Sequence, residues 1–163
     1  MEDQYLKISE VILPETVDLN FNNIANKDQA IQQLADMLDR ANLLIDKKLY
    51  IQSVYDREKI GPTYMEHFIA IPHGKSDAVR EAGIAFGRSE KGFHYDTPLG
   101  GGIAKMVFLL AIPNRVSADA YMAVLARLAR LLVHEEFRDS LMKATSYNDV
   151  IESIKISESL LEE

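Results

Sequence analysis

The sequence predicts an α/β protein of three layers, α/β/α, with a mixed sheet of about five strands flanked by helices. Two observations carry this. Short apolar runs of strand length, at residues 68–71 and 104–112, are interleaved with segments whose apolar residues recur at helical spacing. The run 104–112 is also almost continuously apolar, which fits a central strand covered on both faces rather than a surface strand that alternates. Strand order does not follow from these patterns. At 163 residues and 47% hydrophobic content, one domain is expected, with a core over about 8–156 and an acidic C-terminal tail.

Taken in order, residues 1–24 contain two apolar pieces, Val11-Ile12-Leu13 and Val17-Asp18-Leu19, separated by Pro14, and predict one short strand. A helix follows from Asn26. Asn26 can cap it, Gln29 occupies the capping-box position, and Ala30, Ile31, Leu34, Leu38 and Ala41 share one face. A second helix starts at Asp46, directs Leu49, Tyr50 and Val54 inward, carries Tyr55-Asp56-Arg57-Glu58 in its last turns and stops at Gly61-Pro62. Next come the strand ending near His73, a polar connection over 75–81 and a strand over 83–88. Residues 89–102 read as loop-rich, with Phe93-His94-Tyr95 as a short edge strand, before the buried run closes at Pro113. The last third is helical. Ser117 caps a helix bearing Tyr121, Val124, Leu125, Leu128, Leu131 and Leu132, a second uses Phe137, Leu141 and Ala144, and a third starts near Ser146 and fades into the acidic tail over 157–163.

Composition excludes several classes. With no cysteine, disulfide frameworks, thiol catalysis and thiolate metal sites are out, and a cytoplasmic setting is the expectation. The N-terminus has neither a basic nor an apolar signal region, and no apolar run is long enough to span a bilayer, so direct membrane insertion is not expected. A formal net charge of -7 argues against nucleic acid as a partner and is compatible with docking on a basic protein surface.

The stretch Phe68-Ile69-Ala70-Ile71-Pro72-His73-Gly74-Lys75 is the candidate site. Pro72 has no N–H, so the sheet ladder is expected to end there. Gly74 tolerates φ > 0 and leaves no Cβ beside the ring, and His73 is then an imidazole displayed at the surface, at a strand end. Histidine suits phosphoryl transfer, because one neutral ring nitrogen can attack while the other keeps its proton and is oriented by a carbonyl or carboxylate. Such a site needs fixed positive charge, and Arg57, at the end of the preceding helix, is the candidate fork. The alternatives from local sequence are a histidine that only caps the strand and an arginine that only serves the helix dipole.

The segments Arg57-Glu58-Lys59-Ile60-Gly61-Pro62-Thr63 and Ile69-Ala70-Ile71-Pro72-His73-Gly74-Lys75 resemble the signature of the enzyme IIA domains of the bacterial sugar phosphotransferase system, fructose/mannitol type. The element order over most of the chain is similar to that family as well. The resemblance implies a phosphotransferase in which His73 accepts a phosphoryl group from the phosphohistidine of the phosphocarrier protein HPr and passes it to a cysteine of a cognate IIB domain, with IIC at the membrane. It implies that Arg57 neutralises the phosphoryl oxygens, and that Thr63, Gly74 and Tyr121 complete the phosphoryl-binding set. No cofactor, nucleotide or metal is implied, because the phosphoryl group arrives already activated. Two departures stand out. Tyr64-Met65-Glu66-His67-Phe68 fills a turn that usually contains glycine and asparagine, and Tyr121 stands where many members have a second histidine, so a phenol that can donate a hydrogen bond replaces a group that can carry charge. Members of a nitrogen-related branch carry the same histidine but act through regulatory protein contacts, and that is the alternative function. A ligand-binding domain with a structural His73 is the third.

Other signals are weaker. His67, expected close to the site, His94, expected in a loop, and His134, expected at a helix terminus, do not have metal-ligand spacing with His73. Gly100-Gly101-Gly102 lacks the lysine and hydroxyl of a phosphate loop and reads as a turn, and Glu135-Glu136 diverge on a helix rather than form an acid/base couple.

Overall fold

The computed structural model describes residues 6–161. A single helical turn, α1 (Ile8–Val11), enters β1 (Ile12–Asp18), and helices α2 (Lys27–Arg40) and α3 (Lys47–Ile60) follow. The chain then forms a small hairpin, β2 (Tyr64–Met65) and β3 (Ile69–Ala70), continues through β4 (His73–Ser76), makes a long hairpin of β5 (Gly83–Tyr95) and β6 (Gly102–Pro113), and closes with α4 (Ala118–Leu132), α5 (Glu135–Lys143) and α6 (Tyr147–Leu161).

All six strands form one mixed sheet in the order β1-β5-β6-β3-β2, with β4 also paired to β6. The central strand is β6, as its continuous apolar run predicts, and its two faces divide the core. Met106, Phe108, Leu110 and Ile112 pack with Val124, Leu128 and Leu131 of α4 and Val150 and Ile154 of α6. Ala104, Val107, Leu109 and Ala111 pack with Leu34 and Leu38 of α2 and Tyr50 and Val54 of α3. That gives the three layers expected, with six strands in the sheet.

Capping follows the sequence closely. Asn26 Oδ1 accepts the Gln29 N–H at 2.9 Å while Gln29 Oε1 accepts the Ala25 N–H at 2.8 Å. Asp46, Ser117 and Ser146 accept from the N–H groups of Leu49, Ala120 and Asp149. Among the described residues, no helix is long and apolar enough to cross a membrane.

Four expectations are corrected. First, residues 89–92 are not loop: the strand expected at Phe93-His94-Tyr95 is the far end of β5, which runs on through an irregularity between Arg88 and Phe93, because Glu90 and Lys91 face solvent and their polarity does not oppose the ladder. His94 is thus a strand residue, opposite Ile103. Second, Pro72 does not end the ladder. Ile69 and Ala70 pair with Met106 and Val107, and His73 with Leu110, in one unbroken parallel register, so β3 and β4 are a single line with a gap. Pro72 removes one donor, but its carbonyl still accepts the Leu110 N–H at 3.1 Å. Third, Leu49 is 60% exposed, and the inward stripe of α3 is Tyr50, Val54 and Glu58. Fourth, the acidic tail does not fade at residue 157, because α6 continues to Leu161 with Glu158 buried. The Glu158 carboxylate accepts the N–H groups of Ile8 at 2.7 Å and Ser9 at 3.2 Å, closing the start of α1. Residues 162 and 163 of the expected tail lie outside the described residues.

Candidate active site

His73 is the first residue of β4 and is only 6% exposed, so the displayed imidazole expected at the surface is instead a recessed one. Its Nδ1 lies 2.8 Å from the carbonyl oxygen of Ile71, which shares its side of the strand line. A carbonyl can only accept, so Nδ1 carries the proton and Nε2 keeps its lone pair. Burial is the chief cause that lowers the pKa of His73 below its ordinary 6.5; the Ile71 carbonyl pulls it up, and the charge of Arg57 pushes it down. The result is a neutral ring with a defined tautomer and one free nucleophilic nitrogen.

Gly74 has a different reason from the one expected. Its φ is not in the left-handed region. A Cβ there would collide with Ser53 Oγ and come within 3.1 Å of the backbone nitrogen of Val54, so glycine lets α3 approach β4 closely. That close approach brings the end of α3, with Arg57, to the His73 strand.

Arg57 is half-buried and donates through Nη1 to the Gly61 carbonyl at 2.9 Å, closing the C-terminus of its helix. Its charge nevertheless acts on both His73 and Tyr121. One side chain thus closes the helix while its charge reaches the imidazole and the phenol. Tyr121, in the first turn of α4, places its ring edge-on to the imidazole, with centroids 5.7 Å apart and planes at 70°. Burial pushes its pKa up to about 12 against the opposing effect of Arg57, so the phenol stays protonated as a donor.

Thr63 is placed differently. Its hydroxyl donates to the buried carboxylate of Glu58 and lies 3.0 Å from the Tyr95 hydroxyl, while Lys27 Nζ is 3.5 Å from the other Glu58 oxygen. The Thr63 backbone carbonyl accepts the Ile71 N–H at 2.9 Å. Sequence reasoning expected a carbonyl or carboxylate to orient the ring, and the Ile71 carbonyl is that group; it did not single out Glu58, Tyr95 or Lys27. The four-residue period Tyr50, Val54, Glu58 along α3 was the available signal for an inward carboxylate.

His67 lies away from this group. It lines a cavity of about 250 Å³ with Phe68, Lys105, Met106, Arg138 and Met142, against α5. The glycine-free turn that carries it adopts left-handed backbone at both His67 and Phe68, φ 67° at each. His134 is exposed at the start of α5, as expected.

An α/β/α sandwich that holds a neutral, tautomerically fixed imidazole beside a guanidinium and a phenol has the parts of a histidine phosphoryl carrier. The profile described as "Phosphoenolpyruvate-dependent sugar phosphotransferase system, EIIA 2" matches residues 10–156, and the chain belongs to that family of phosphotransferase components. It is 34% identical over 149 residues to the fructose-specific EIIABC component of Bacillus subtilis, covering 91% of this chain and 23% of that much longer relative. Among solved structures, the nitrogen regulatory protein IIA-Ntr of Neisseria meningitidis superposes with TM-score 0.78 at 26% identity, covering 90% of this chain and 98% of that one. The Escherichia coli mannitol enzyme IIA, in complex with phosphorylated mannitol enzyme IIB, superposes with TM-score 0.71 at 26% identity, over 89% of this chain and 99% of that one. IIA domains of this family therefore partner with IIB domains.

Proposed function

We propose that this chain is a single IIA domain that works in the cytoplasm, takes a phosphoryl group from phospho-HPr on Nε2 of His73 and hands it to a cysteine of a IIB domain, feeding a IIC transporter of the fructose/mannitol type. In the first step the Nε2 lone pair attacks phosphorus, the P–N bond to the donor histidine breaks, and the donor ring leaves with that electron pair. Nδ1 of His73 keeps its proton and its bond to Ile71, so no base is required. In the second step the cysteine thiolate of IIB attacks the same phosphorus and His73 leaves as the neutral tautomer it began with. Arg57 offsets the charge on the equatorial oxygens and Tyr121 donates a hydrogen bond to one of them. Thr63 acts through its backbone and Gly74 by admitting α3. The phosphoryl group arrives activated, so neither nucleotide nor metal takes part.

The observation that carries this reading is the Nδ1–H bond to Ile71, which leaves one ring nitrogen free beside Arg57. Intact mass after incubation with enzyme I, HPr and phosphoenolpyruvate tests it: wild type should gain one acid-labile phosphoryl group and His73→Ala none. The likeness to a nitrogen regulatory IIA supports a second reading, in which phosphorylated His73 regulates a protein partner. Onward transfer to a IIB cysteine with sugar consumption separates the two.

A further inference from the structure

We infer that Glu58 is a positioning residue for the His73 site, acting through Thr63. This deepens the phosphoryl-carrier reading and rests on it. Arg57 and Glu58 are neighbours in sequence, yet about 100° apart around α3. The charge of one acts on the imidazole, and the other is 6% exposed in the core. A carboxylate buried to that degree needs partners. It has the Thr63 hydroxyl on one oxygen and Lys27 Nζ at 3.5 Å from the other, and Lys27 in turn lies 5.6 Å over the Tyr95 ring, whose hydroxyl is 3.0 Å from Thr63 Oγ1.

These contacts fix the turn Gly61-Pro62-Thr63, and both working parts of the site hang from that turn. The Gly61 carbonyl accepts from Arg57 Nη1 at 2.9 Å. The Thr63 carbonyl accepts the Ile71 N–H at 2.9 Å, and the carbonyl of that same Ile71 accepts His73 Nδ1–H at 2.8 Å. The route from Glu58 to the nucleophile is thus three successive hydrogen bonds, from Thr63 Oγ1 to Glu58, from Ile71 N to Thr63 and from His73 Nδ1 to Ile71. Glu58 sets where the Ile71 carbonyl points, and so which ring nitrogen of His73 is free and how it faces Arg57.

Two readouts test this on the folded chain. One is the tautomer ratio of the His73 ring from its ¹⁵N shifts, which needs no phosphoryl donor. The other is the rate of phosphoryl acceptance from phospho-HPr. Thr63→Val, which removes the hydroxyl at nearly constant shape, should slow acceptance about tenfold and raise the share of the Nε2–H tautomer, because small misplacements at a reacting centre are costly. Thr63→Ser should recover most of both, and Glu58→Gln should shift both in the same direction as Thr63→Val by a smaller factor. If Thr63→Val lowers only the melting temperature and keeps the wild-type tautomer and rate, the network is a brace and the inference falls. Should Glu58→Gln not fold, the two Thr63 variants decide alone. If wild type itself takes no phosphoryl group, the functional reading fails, and the tautomer measurement still decides whether Thr63 and Glu58 orient the ring.

Discussion

The imidazole of His73 and the carbonyl of Ile71 are two residues apart on one strand line, and the 2.8 Å bond between them spans the gap that Pro72 makes in the ladder. In an ordinary strand the Ile71 carbonyl would face a neighbouring strand. Here it takes a side-chain donor instead, and the histidine is oriented by its own backbone.

The first expectation is chemical. Phosphorylated protein should carry the group on Nε2 rather than Nδ1, distinguishable by ³¹P and ¹⁵N NMR, and His73→Ala should take up none. Phosphate found on Nδ1 would contradict the tautomer assigned here.

The pH dependence has a definite sign. Because burial and Arg57 lower the pKa of His73 below 6.5, the ring remains a neutral nucleophile somewhat into the acid range, and the acid limb of the acceptance rate should lie below pH 6.5. The unfolded chain binds the proton at higher pH than the folded one, so this group's contribution to stability is present above pH 6.5 and is lost as pH falls through the folded pKa. An NMR titration of His73 with a midpoint above 6.5 would refute both statements.

Arg57→Ala should leave His73 modifiable but slow transfer about a hundredfold, the scale expected when one fixed donor to developing charge is removed. Arg57→Lys should recover part of that, since it restores charge without the planar fork. Stopped-flow acceptance from phospho-HPr measures it, and a wild-type rate for Arg57→Ala would remove this residue from the mechanism.

Tyr121→Phe keeps the edge-on ring and deletes the hydroxyl. The expected effect is about a tenfold loss of rate, the worth of one hydrogen bond, with stability near wild type. Tyr121→His should make the rate pH-dependent around neutrality, because an imidazole titrates there and a phenol at about 12 does not. A pH profile of the two variants against wild type is the check.

The turn between β2 and β3 should be improvable. His67 is half-exposed and holds φ 67°, left-handed backbone that asparagine adopts readily because its short polar side chain can hydrogen-bond locally. His67→Asn should stabilise the protein by about 0.5 kcal/mol without altering phosphoryl acceptance. Denaturant unfolding measures the first and the mass assay the second.

Much of this molecule is decided locally. The caps at Asn26, Asp46, Ser117 and Ser146, the helices they start, and the buried central strand over 104–112 all follow from side chains within a few residues and from the pattern of apolar positions. His73 and Arg57 are candidates by residue type and by their places at a strand and a helix end, whereas Tyr121 is singled out only by the resemblance to the IIA family. Tertiary structure decided the remainder, because its partners are remote in sequence. The ladder with β6 carried β5 through a polar stretch and resumed in register beyond Pro72, since one missing donor costs less than the pairs on either side supply. The burial of the imidazole, the inward turn of Glu58 onto Thr63 and Tyr95, and the reach of Glu158 back to Ile8 depend on which faces the sheet brings together. A sequence specifies which groups are available; only the packed sheet, by removing water from some and not others, sets which of them are neutral, oriented and free to react.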